Sequence, residues 1–167
     1  MSVTSGVLTM YGRELLASSL FSDGVALPSL WIGLLLQAPD INDTGTTVSE
    51  VAVEVVDPVT LVASATGYSR VLVPSSDSAT SQGLWVQLGG GVLSYSQSLR
   101  FGEAQSDWGF VVSWGMFTES TGGQLIAAGP AGFDVLGPGL PENEEDTPTG
   151  DVVVIGEYGI KLGVIGG

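Results

Sequence analysis

The residues that could carry chemistry are few, and their spacing serves it poorly. Glu142, Glu144, Glu145 and Asp146 crowd into GPGLPENEEDTPTGD, residues 137–151. Paired carboxylates can exchange protons as general acid and base, or hold calcium. This run lacks the ligand spacing and the glycine of an EF-hand loop, so it is expected to be a solvated tip; a divalent cation at 142–146 is the alternative. Gly89-Gly90-Gly91 follows an apolar strand pattern, as a phosphate cradle would, but no Gly-Lys-Ser/Thr comes after it and no helix pattern opens there. Arg70 is one of only 4 basic residues among 18 acidic ones, and an ion pair is its expected role, ahead of a subunit contact or a ligand-binding site. The chain has no histidine and no cysteine. That removes the commonest general base, the commonest metal ligand, thiolate nucleophiles and disulfides together. The expectation is no enzyme: no catalytic, cofactor or metal site, with a hydrolase built on Asp/Glu pairs ranking last among the rival functions.

What remains for recognition is aromatic. Tyr68, Arg70, Trp85 and Trp108 form the expected interaction surface. Were Trp85, Trp108 or Trp114 exposed, they could stack on sugar faces as a receptor-binding tip does, which defines the rival binding-module reading. Trp31 and Trp114 each lie inside an apolar run and are expected in the core.

The whole-chain balance narrows the partners. A formal charge of −14 repels phosphate backbones and anionic headgroups, so nucleic acid and membrane are poor partners. Mean hydropathy is nevertheless +0.38, so apolar surface must be buried in the fold or against other subunits, and a homo-oligomer is expected. The opening MSVTSGVLTMYGRE lacks a basic segment followed by an apolar stretch, so no secretory signal is expected. The run SLWIGLLLQA is too short to span a bilayer.

The elements that must position these residues read as short strands. At 167 residues with 25 glycines and 8 prolines, the chain is expected to be one all-β domain, 1–167. TMYGRELLASSLFSDG carries the single expected helix, about 9–22, capped by Thr9 and stopped at Gly24, with Arg13 and Glu14 solvated. LPSLWIGLLLQAP, 27–39, reads as a strand buried on both faces, and 51–56 as a half-exposed strand stopped by Asp57-Pro58. GYSRVLVP, 67–74, alternates Tyr68, Arg70 and Leu72 against Ser69, Val71 and Val73. A hairpin turns at Gly89–Gly91, and a second runs DWGFVVSWGMFTESTGGQLIAAGP, 107–130, turning at Thr121-Gly122-Gly123. GDVVVIGEYGIKLGVIGG supplies one long or two short final strands.

In order and spacing, YGRELLASSLFSDG, LWIGLLLQAPD, NDTGTTVSEV, GYSRV, WGFVVSWGMFTESTGGQLIAAGP and GDVVVIGEYGIKLGVI resemble a family of small tailed-bacteriophage virion proteins, often labelled tail fibre or minor structural proteins. The chain departs from the pattern in a longer VAVEVVDPVTLVASAT before Gly67 and an enlarged LGPGLPENEEDTPT loop. The resemblance implies a non-enzymatic antiparallel β-sandwich, jelly-roll-like with one short N-terminal helix, that packs on other virion proteins. Those would be major capsid, tail or neck proteins, met in a virion assembled in the bacterial cytoplasm. A capsid decoration (cement) protein or a neck or tail component is the function implied. A receptor- or carbohydrate-binding tail fibre module is the alternative.

Overall fold

The computed structural model of the protein describes residues 6–9, 11–15, 29–36, 67–74, 83–109, 111, 113–130, 134–136 and 149–163. Strand β1 (Gly6–Leu8) leads into a helix over 11–15. Thr9 caps it as expected: the Gly12 amide donates to Thr9 Oγ1 at 3.1 Å, and the Arg13 amide to the Thr9 carbonyl at 3.0 Å. The same hydroxyl donates toward the Leu125 and Ile126 carbonyls at 2.7 and 2.9 Å, so one side chain both starts the helix and pins it to the sheet. Arg13 and Glu14 are exposed, while Tyr11 and Leu15 pack on the core. The expected continuation of the helix to 22, its stop at Gly24, the strand at 51–56 and the acidic run at 142–146 lie outside the described residues.

Ten further strands follow: β2 (Leu30–Leu35), β3 (Val71–Val73), β4 (Trp85–Gly89), β5 (Val92–Tyr95), β6 (Leu99–Arg100), β7 (Ser113–Phe117), β8 (Leu125–Pro130), β9 (Asp134–Leu136), β10 (Val152–Ile155) and β11 (Lys161–Gly163). Among the described residues they form an eight-stranded sheet, β3-β2-β7-β8-β1-β11-β5-β4, and a three-stranded sheet, β6-β10-β9. Every pairing is antiparallel except β1 with β11. Leu99, Val153 and Ile155 of the smaller sheet share one buried cluster with Ile32, Leu34, Trp114 and Met116 of the larger, which makes the fold the expected all-β sandwich. Among the described residues the strands divide eight against three between the two sheets.

The centre of the larger sheet is apolar on both faces, as LWIGLL predicts. Ile32 and Leu34 of β2 point into the main core, and Leu35 joins Phe117 and Leu125 in a second cluster on the opposite face. Trp31, expected in the core, is half-buried against that second cluster. Trp114 meets the expectation fully and is closed off from solvent. It stands opposite Gly129 in the β7–β8 ladder, and a Cβ built on Gly129 would lie 2.4 Å from the Trp114 ring. The bare glycine backbone is the seat of the indole.

Three local expectations shift. Asp107–Gly109 is not the start of a strand; Asp107 Oδ1 accepts from the Gly109 amide at 2.7 Å, Gly109 takes φ +74°, and β7 begins at Ser113. The terminal strand pattern resolves into two strands in different sheets, because the chain crosses over at 156–160 through a turn closed by Gly159 N–H to Gly156 O at 2.9 Å. In GYSRVLVP the alternation breaks: Val71 and Val73 face the core with Tyr68, Leu72 faces out, and only residues 71–73 form strand.

Replacing Trp114 by Ala should cost about 3–5 kcal/mol in a urea melt, through lost burial and a cavity. Gly129→Ala should cost about 1–3 kcal/mol by forcing the indole from its seat. If Gly129→Ala melts with the unmodified protein, the close packing described for this pair is wrong.

Candidate interaction surface

The aromatic residues proposed for recognition divide sharply by position. Tyr68 and Trp108, each 3% exposed, are core residues. Tyr68 stacks on Phe101 with ring centroids 6.3 Å apart and takes the edge of Trp108 at 5.6 Å. Its hydroxyl accepts from the Leu34 amide at 2.9 Å. The β3 ladder begins at Val71 opposite Ile32, so the phenol of Tyr68, which precedes the strand, takes the backbone donor of β2 that lies beyond the ladder.

Arg70 is also buried, at 7% exposure, on the opposite face of the sheet. Its guanidinium carbon sits 3.5 Å from the Phe117 ring centroid. Nη1 donates to the Glu119 and Gly122 carbonyls at 2.8 and 2.6 Å. Both carbonyls belong to the turn between β7 and β8, where Gly122 and Gly123 take φ +63° and +72°. Arg70 therefore latches the expected glycine turn from below, a structural task in place of a surface one. Thr118 holds the same turn from within, its hydroxyl accepting from the Gln124 amide at 2.9 Å.

Of the four residues, Trp85 alone reaches solvent, and it is half-buried against Tyr95 with centroids 5.4 Å apart. Burial pushes the Tyr95 phenol above its usual pKa. The hairpin β4–β5 turns through Gly89, Gly90 and Gly91, all at positive φ, as the sequence predicts. What the sequence reading missed is the outward side of this hairpin. Val86 and Leu88 are 38% and 50% exposed, and β4 is an edge of the sheet. The missed signal was Val86-Gln87-Leu88 alternating beside a triple glycine with no charged residue near it. Tyr158, at φ +60° in the crossover turn, is exposed as well and is held by its amide donating to the Tyr95 carbonyl at 2.8 Å.

Among the described residues no three acidic side chains gather closely enough to hold a metal ion. No described helix is long and apolar enough to cross a membrane.

Aromatics that build the core and an outer surface of strand edge and turns define an all-β structural module. Residues 8–133 match the family model of the podophage GP4 fiber I protein gp80, and the chain belongs to that family of phage virion structural proteins. The match runs from the end of β1 through β8 and stops before β9. No curated protein matches the chain.

Arg70→Met should destabilise the fold by about 1–3 kcal/mol, because two part-buried carbonyls lose a charged donor. Amide exchange should quicken at 118–124 first; unchanged exchange there would refute the latch. Tyr95 sets an alkaline signature: with its folded pKa raised, stability is level below about pH 10 and falls as pH rises beyond it while the unfolded chain ionises. Urea midpoints at successive pH values should show that fall, and Tyr95→Phe should lessen it.

Proposed function

We propose that this chain is a non-enzymatic structural component of the phage particle, a tail or neck piece that packs on other virion proteins. The observation that carries this reading is the enclosure of Trp108 and Trp114 in the core. A sugar-binding tip must present rings to solvent, and these two rings serve the sandwich instead. The family's description as a fiber protein favours a tail position over capsid decoration, which is the second placement within the same reading. Its partners are tail, neck or major capsid proteins, and copies of itself. Its place is the virion, assembled in the cytoplasm of the bacterial host. Of Trp85, Trp108 and Trp114, on which the rival reading as a receptor- or carbohydrate-binding module rests, Trp85 alone reaches solvent, and it is half-buried.

Mass spectrometry of washed particles, with gold-labelled antibody in electron micrographs, tests the proposal. The chain should stay with the particle and the label should fall on the tail. Loss of the chain on washing would defeat the structural reading. Label on the capsid shell would select decoration instead. Particles carrying Trp85→Ala should adsorb to host cells as before; lost adsorption with normal particle yield would favour the receptor-binding module.

A further inference from the structure

We propose that β4 is a docking edge for a second copy of this chain, the two β4 strands pairing antiparallel about a two-fold axis. The inference deepens the reading of a self-associating virion component, and it needs no particle to be tested.

The two ends of the eight-stranded sheet are built differently. At one end, β3 has three residues and is closed by Pro74, which cannot donate to a ladder. At the other, β4 has five residues, and Val86, Gln87, Leu88 and Gly89 are all exposed. Natural edges are commonly blunted by lysine, proline, an inward charge or a bulge, and β4 has only the last, at its far end between Gln87 and Gly89. No charge and no proline guards it, since the stretch from Ser78 to Leu99 has no Asp, Glu, Lys, Arg or Pro. Among the described residues, no strand pairs with the outer side of β4.

Charge decides the occupant. With a net charge of −14, two copies repel over most approaches, and an uncharged edge is where they meet with least opposition. A basic partner would find no carboxylate on this hairpin to pair with. A second β4 offers the same neutral ladder, and a two-fold axis brings Val86 and Leu88 of each copy to the same seam. The register shift between Gln87 and Gly89 confines the ladder to the first part of β4, so the contact is small and the dimer reversible.

Sedimentation equilibrium of the full chain from about 1 to 500 μM tests this. A reversible monomer–dimer equilibrium is expected. Val86→Lys should raise its dissociation constant about tenfold or more, since it sets like charges across the seam. Leu72→Lys, at the far edge, should leave it unchanged. In the unmodified protein the amides of 86–88 should gain exchange protection as concentration rises, a readout that needs no variant to fold. A monomer throughout, or a dimer that forms without protection at 86–88, overturns the proposal. So does a dimer that folded Val86→Lys leaves intact. A dimer that never binds particles would defeat the virion reading and leave this edge standing.

Discussion

Trp114 lying across Gly129 is the contact on which the rest of the sheet depends. Central strands buried on both faces need side chains that fill space without forcing the backbones apart, and here the largest residue is set over the smallest. The same device recurs one residue on. A Cβ at Gly115 would lie 2.9 Å from the Phe117 ring, and Gly115 stands opposite Gly33 of β2 and Ala128 of β8. Small residues thus run across β2, β7 and β8 on one face, and Phe117 and Leu125 close over them there. On the other face Leu34, Trp114 and Met116 build the main core. With these three strands fixed, β3 is hung on β2, and β1 on β8.

The scarcity of cations shows in how the one buried arginine is used. A buried guanidinium without partners would cost several kcal/mol, and Arg70 meets that cost with two carbonyls and a ring face. The two carbonyls and the ring face fix where the guanidinium lies, so the latch holds the turn by shape. The excess of carboxylates over cations predicts an ion pair and says nothing of these two carbonyls. Composition counts possible partners and carries nothing about distance, and it is the turn of the β7–β8 hairpin that comes within reach of Nη1.

Patterns that are local in the chain were legible, and those set by distant partners were not. The helix cap at Thr9, the glycine turns of both hairpins and the two-sided burial of LWIGLL all follow from residues within a few positions of one another. Strict alternation places Tyr68 outward because it assumes pairing through the whole of GYSRVLVP; β3 begins only at Val71, and the phenol takes the Leu34 amide instead. In single-residue patterns the Asx turn at Asp107 looks like the start of a strand, and the pattern cannot tell that Trp108 turns inward there. The exposed edge at Val86 and Leu88 is not legible in the sequence, since membership of an edge is a property of the whole sheet order.

That order also says which part of the molecule sets the edge. The β4–β5 hairpin is joined to the remainder of its sheet through β11, whose residues Lys161, Leu162 and Gly163 pair with Ser94, Leu93 and Val92. On its other side β11 runs parallel to β1, so the earliest and latest described strands lie side by side and the sheet is complete only when both are in place. Such long-range closure favours one cooperative unit that forms late in folding. The family match covers residues 8–133 and leaves β11 outside it. The hairpin is thus inside the shared region while the strand that seats it is not. Variation after residue 133 can therefore change where the β4 edge is presented without altering a residue of the hairpin itself.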